Sequence, residues 1–150
     1  MGVDAGEVVH CLRRLFKGLH EHSKAMQRQA GLSAPQAWAL TILAEESGLA
    51  LGELAERMHA HPSTVSGIVD RLVRRRAVDR RPDPEDRRGV RLSLTPSGRR
   101  LLRRSPPPIQ AGLQRALERM APRRLRQLRR ALELIVNASE LERVDAPFFQ

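Results

Sequence analysis

Between Ala77 and Thr95 the apolar residues of this chain stop recurring every three or four positions and begin to alternate. Val90, Leu92 and Leu94 fall on one face of an extended segment, with Arg91 and Ser93 on the other. The stretch ahead of them, "RRPDPEDRRG" from Arg80 to Gly89, is crowded with charge and holds two prolines, as a loop would. Strands at Ala77–Arg81 and Val90–Thr95, joined by that loop, make one hairpin. The other segments read as helices, so the expected fold is mainly α with a small β-hairpin. An ordinary loop needs polar residues but not interleaved arginines and acids, which points to a partner for this one.

The helices on either side have legible limits. Val8, Leu12, Leu15 and Leu19, with Val9 and Phe16 alongside, mark one face of a first helix. "LSAPQAWALTIL" opens a second, where Ser33 and Gln36 form a capping box and Pro35 sits in the first turn. "ESGLA" ends it. "LGELAERM" is a short third helix. A turn then leads to a fourth, starting near Pro62, whose buried face carries Val65, Ile68, Val69 and Leu72. Thr95 and Pro96 read as the N-cap and first residue of a fifth. Farther on, Ile109, Leu113 and Leu117 form one stripe, and Leu125, Leu128, Leu132 and Ile135 another. Pro106 to Pro108 break the helical run between Thr95 and the first of these stripes.

Charge narrows the partner. The chain has 150 residues, enough for one domain with its own core, and carries 27 Lys+Arg against 17 Asp+Glu, a net +10. That balance favours a polyanion: nucleic acid first, an anionic membrane surface second. Nothing in the chain is long and apolar enough to span a bilayer, and the first residues lack a signal pattern, so a cytoplasmic protein without a membrane partner is expected. Cys11, the single cysteine, fits a reducing compartment. Aromatic residues are 3% of the chain and tyrosine is absent, which leaves little to stack on unpaired bases. A duplex, held by its phosphates and read at its groove edges, suits this composition better.

A helix, a short helix, a tight turn, a longer helix and a hairpin are the parts of a winged helix-turn-helix. Its second helix lies in the major groove with its first residues at the base edges. Those residues here are Pro62, Ser63, Thr64 and Ser66, small enough for close approach. Arg71, Arg74, Arg75 and Arg76 follow and suit the flanking phosphates. The hairpin brings Arg87 and Arg88 to a minor groove, whose negative potential attracts arginine.

At this point the residues resemble a known family. "ELAERMHAHPSTVSGIVDRLVRRRAVDRRPDPEDRRGVRLSLTPSGRRLL", Glu53 to Leu102, is similar to the winged helix-turn-helix of the multiple-antibiotic-resistance regulator (MarR) family. The most specific part is "DPEDRRGVRLSLTPSG". The resemblance implies one domain over residues 1–150, with the DNA-binding region at 33–102 and dimerisation helices at 1–30 and 103–150. It implies a homodimer on palindromic double-stranded DNA, usually a repressor, released by a small phenolic or lipophilic effector or by oxidation. It places Ser63, Thr64 and Ser66 at recognition-helix contacts, Arg87 at the minor-groove position, and Asp86 at the acidic position that orients the wing arginines. Three residues depart from the pattern. Gly67 stands where the family often has an arginine aimed at bases. Arg76 stands where a glycine usually ends the recognition helix, so a reshaped turn is expected there. Pro106–Pro108 interrupt what the family builds as a long helix.

Other candidates reduce to plainer roles. Cys11 reads as a small inert residue, because a sensor thiol needs a lowered pKa and, in the resembling family, nearby tyrosines. His10, His20, His22, His59 and His61 lack chelating spacing, so no metal and no cofactor is expected. Trp38 is the one candidate for lining an effector pocket, and is equally a core residue. No nucleophile–base pair or phosphate loop appears, so an enzyme is not expected. The alternative to a sequence-specific regulator is an architectural binder indifferent to sequence.

Overall fold

The computed structural model describes residues 4–84, 86 and 89–139. Helix α1 (Ala5–Ala30) begins at Asp4, whose side chain accepts from the Gly6 amide, and ends at Gly31 in the left-handed conformation. Helix α2 (Ala34–Glu45) starts at the expected capping box, the Ser33 amide donating to Gln36 Oε1 at 3.0 Å and the Gln36 amide to Ser33 Oγ at 3.4 Å. Helices α3 (Leu51–Met58) and α4 (Pro62–Arg74) follow, with Val65, Ile68, Val69 and Leu72 buried as the spacing predicts. Strands β2 (Val78–Pro82) and β3 (Val90–Leu94) form the hairpin. Val90 nevertheless stays exposed at the tip, while Leu92 and Leu94 are buried.

The sheet has a third strand that the pattern does not reveal. Leu49–Ala50, within the segment that ends α2, is strand β1 and pairs antiparallel with β3 through Leu49 opposite Leu92 and Ala50 opposite Arg91. The order is β1-β3-β2, so β3 is central. Two residues are too few for an alternating signal. Their extended state is imposed by β3, and Gly48 anchors it by donating to the Leu92 carbonyl at 2.8 Å. Pro82 falls at the end of an edge strand, where no ladder donor is needed.

Helix α5 (Pro96–Arg104) leads to Ser105, and the chain breaks over Pro106–Pro108 before α6 (Ile109–Glu118) and α7 (Pro122–Ala138). The break is held in place by α1, where His22 Nε2 lies 2.6 Å from the Pro107 carbonyl. One core serves the fold. Met26, Leu40, Leu54, Met58 and Leu72 of α1 to α4 are fully enclosed in it with Leu32 of the α1–α2 turn, and Leu92 closes it from the sheet. Ala111 is the only core residue that α6 supplies among those described, and α7 supplies none.

Candidate nucleic-acid interface

The first turn of α4 is built by local chemistry. His61 is the N-cap, its Nδ1 accepting from the Ser63 amide at 3.3 Å and lying 2.7 Å from Ser63 Oγ. Pro62 occupies the first turn, where a missing N–H is harmless. With Val65, Ile68, Val69 and Leu72 turned inward, Ser63, Gly67, Arg71 and Arg74 stand on the exposed side, and Thr64 and Ser66 are half-buried at its margins. A Cβ on Gly67 would meet nothing within 4 Å, so the glycine leaves open space on that face. The exposed face is thus small and polar at its start and cationic toward its end.

The helix ends where the sequence predicts, but not in a reshaped turn. Arg76 adopts the left-handed conformation itself, at φ 55°. Its amide donates to the Val73 carbonyl at 2.8 Å, and the Ala77 amide to the Leu72 carbonyl at 2.9 Å. These two bonds, with Leu72 and Ala77 both buried, make a complete Schellman motif. They offset the penalty of about 1 kcal/mol that an L-residue meets there.

Arg75 departs from its expected place on flanking phosphates. Its guanidinium donates to the carbonyls of Gly31, at 2.5 Å, and Ala30, at 3.2 Å. It therefore ties the end of α4 to the end of α1, where carbonyls lack helical partners and favour a cation. Arg71 and Arg74 remain exposed on α4.

The wing is fastened at its root. Arg80 Nη2 donates to Asp70 Oδ1 at 2.6 Å, linking β2 to α4. Arg91 Nε donates to Asp83 Oδ2 at 2.6 Å, and Arg91 Nη1 reaches Glu53 Oε2 at 3.2 Å and the Gly48 carbonyl at 3.3 Å. The Asp83 side chain is 8% exposed. Glu53 also accepts from the Ala50 amide at 2.6 Å, so one charged chain joins β1, α3 and both sides of the hairpin. Sequence reasoning missed this set. Its one signal was a pair of opposite charges, Asp83 and Arg91, flanking the loop. Asp86 is exposed, and its carbonyl closes the turn by accepting from the Gly89 amide at 2.8 Å. Arg87 and Arg88 lie outside the described residues.

The wing leaves through a seam against the end of α4. Thr95 caps α5 by accepting from the Gly98 amide at 3.0 Å, while its hydroxyl lies 2.7 Å from the Arg76 carbonyl and 3.1 Å from that of Ala77. Gly98 packs on the same backbone so closely that a Cβ would sit 2.2 Å from the Ala77 oxygen. The "LTPSG" run thus locks the end of α4, the hairpin and α5 together.

Two cavities lie away from this face. One of about 350 Å³ lies between α1 and α6 and is lined by Phe16, Leu19, His20, Ser23, Ala34, Ile109 and Gln110. Trp38 is 7% exposed and belongs to the core, but its edge borders the other, a groove shared with Glu45, Glu56, Arg57 and Gln114. Cys11 is exposed on α1. Among the described residues no group of three or more potential ligands could hold a metal ion, and no helix is long and apolar enough to cross a membrane.

Comparison with known proteins agrees with this geometry. Residues 32–90 match the MarR family. The chain is 32% identical over 108 residues to the uncharacterised HTH-type transcriptional regulator ML2140 of Mycobacterium leprae, covering 72% of this chain and 76% of that one. It is 32% identical over 87 residues to the HTH-type transcriptional repressor MdtR of Bacillus subtilis, covering 58% of this chain and only 56% of the relative, less than two thirds of its length. Among solved structures, the PcaV transcriptional regulator of Streptomyces coelicolor, in complex with its natural ligand, superposes with a TM-score of 0.58 at 29% identity, over 93% of this chain and 99% of that one.

Proposed function

The chain belongs to the MarR family of transcriptional regulators, and from that premise we propose that it is a homodimeric repressor of a palindromic double-stranded DNA site, released by a small ligand. The observation that carries the reading is the division of α4. Its apolar face is spent in the core, and its free face presents Ser63, Thr64, Ser66, Arg71 and Arg74 beside a wing braced from two sides. A rigid helix of that make-up fits a major groove, with small hydroxyl side chains at the bases and cations toward the phosphates. The wing carries Arg87 and Arg88 to the adjoining minor groove.

Pairing of two chains accounts for the exposed apolar surface. Phe16 is 60% exposed and Leu134 70%, and the stripe of Leu125, Leu132 and Ile135 is open along α7. Such a surface marks an interface, and a twofold pair would set two recognition helices one helical turn of DNA apart. The cavity between α1 and α6 is the effector site in this reading, since it lies where the end helices meet the winged region. That PcaV was solved with a natural ligand supports a ligand-responsive scaffold of this shape.

The test is a salt titration on the palindrome and on random duplex. Arg87→Ala should weaken binding to both and lower the salt slope by about one unit. Ser66→Ala should cost on the order of 1 kcal/mol on the palindrome and little on random DNA. A wild-type preference for the palindrome below about 10³-fold would instead favour the sequence-indifferent architectural binder, which the open space at Gly67 would suit.

A further inference from the structure

The cavity between α1 and α6 has one feature that its apolar lining does not explain. Gln110 stands in its wall, and both atoms of the side-chain amide, Nε2 and Oε1, are sealed from solvent without a hydrogen-bond partner. Among the described residues they are the only buried side-chain nitrogen or oxygen atoms in that state. The other buried amide, Gln36, is paired with Ser33. Unpaired buried polar groups oppose folding, so an apolar residue of the same size would serve the packing of Gln110 better. Such a residue is expected where function overrides stability.

The lining also restricts what can enter. Phe16, Leu19 and Ile109 offer apolar surface, Ser23 a hydroxyl and His20 an imidazole, with no lysine, arginine or carboxylate among the described lining residues. A volume of about 350 Å³ admits one substituted ring. Gln110 borders this space with its amide turned away from it, so the amide must rotate about its own torsions to meet a bound molecule. An amide presents one donor group and one acceptor side by side.

We propose that Gln110 selects the effector, and that the effector is an uncharged molecule whose edge pairs one donor with one acceptor: a carboxamide, lactam or imide on an apolar ring. The proposal rests on the reading of this cavity as the effector site. Gln110 Nε2 donates to the ligand carbonyl, and the ligand N–H donates to Gln110 Oε1. A carboxylate offers acceptors only. It sets an anionic oxygen against Oε1 and buries a charge without a fixed cation.

Benzamide and benzoate are the matched probes, titrated calorimetrically into the full chain at pH 8. Benzamide should bind at least about tenfold more tightly than benzoate, a difference of roughly 1.4 kcal/mol. Gln110→Leu should lose benzamide by at least about tenfold while the ligand-free melting temperature holds or rises by about 2–4 °C. Gln110→Glu, with acceptors only, should turn the preference toward benzamidine. The proposal is overturned if benzamide fails to bind at millimolar concentration, if benzoate binds as tightly, or if Gln110→Leu lowers the melting temperature and leaves benzamide affinity intact. Fluorescence anisotropy of a labelled palindrome separates this from the underlying reading. Benzamide that binds through Gln110 without releasing DNA supports the ligand chemistry and removes the effector role. Benzoate that binds better and releases DNA removes the chemistry and keeps the role.

Discussion

Helix α4 has 13 residues and buries Val65, Ile68, Val69 and Leu72 within its own chain, whereas α7 has 17 and, among the described residues, buries none. Both carry apolar side chains at helical spacing, so amphipathicity alone does not distinguish them. The difference lies in what stands opposite. Around α4 are α2, α3 and β2, whose side chains fill the same core. The stripe of Leu125, Leu132 and Ile135 stays exposed among the described residues. The winged region is thus finished by one copy, and the exposed stripe of α7 is what the proposed pairing would cover.

The comparison breaks most sharply at α7. Replacing Leu132 and Ile135 together by Glu should cost about 4 kcal/mol or more of association, roughly a thousandfold. Sedimentation should then find monomers whose winged region still melts cooperatively. If the double variant stays paired, the stripe is not the interface. Gly98→Ala attacks the other side. Its Cβ would meet the Ala77 oxygen at 2.2 Å and Leu94 Cδ1 at 2.6 Å, so the start of α5 must move. A loss of about 3 kcal/mol, seen as a melting temperature lower by roughly 6–12 °C, is expected. An unchanged urea midpoint would show the seam to be looser than its geometry.

Smaller changes sharpen the contrast. Arg75→Ala removes the bonds to the α1 carbonyls and should lower stability by about 1–2 kcal/mol, with the salt slope of DNA binding unchanged. A fall of one unit in that slope would return Arg75 to the phosphates. Arg76→Gly relieves the left-handed strain and should raise stability by roughly 1 kcal/mol in chemical denaturation, leaving the oligomeric state alone.

Much of the fold was legible because its signals are local. The bounds of α3, the buried row of α4, the Ser33–Gln36 box, the Thr95 cap and the proline break each depend on residues a few positions apart. What escaped depends on distant pairing. Strand β1 exists only because β3 lies beside it. Arg75 finds its partners 44 and 45 positions back, and Arg91 meets Glu53 across 38. The turn at Arg76 was misjudged for a related reason. Its intrinsic penalty can be read from one residue, but the bonds that offset it come from Leu72 and Val73. In the candidate site, Ser63, Thr64, Ser66, Arg71 and Arg74 stand on or beside the free face of α4, as their spacing implies. The wing's bracing by Asp83 and Glu53 could not be told from ordinary surface charge.

The seam at Gly98 has a bearing on how such chains are recognised and how they change over time. The "LTPSG" run, the last five residues of "DPEDRRGVRLSLTPSG", serves steric fit: a hydroxyl that stitches two carbonyls and a glycine that lets a helix touch a backbone. None of that contact involves nucleic acid. A descendant that abandoned DNA altogether would keep Thr95 and Gly98 for as long as it kept its shape, while the exposed Arg71 would be free to drift. The run therefore speaks for architecture. In the proposed reading, whether a chain bearing it still regulates anything is judged from the exposed side of α4, whose side chains the core does not use.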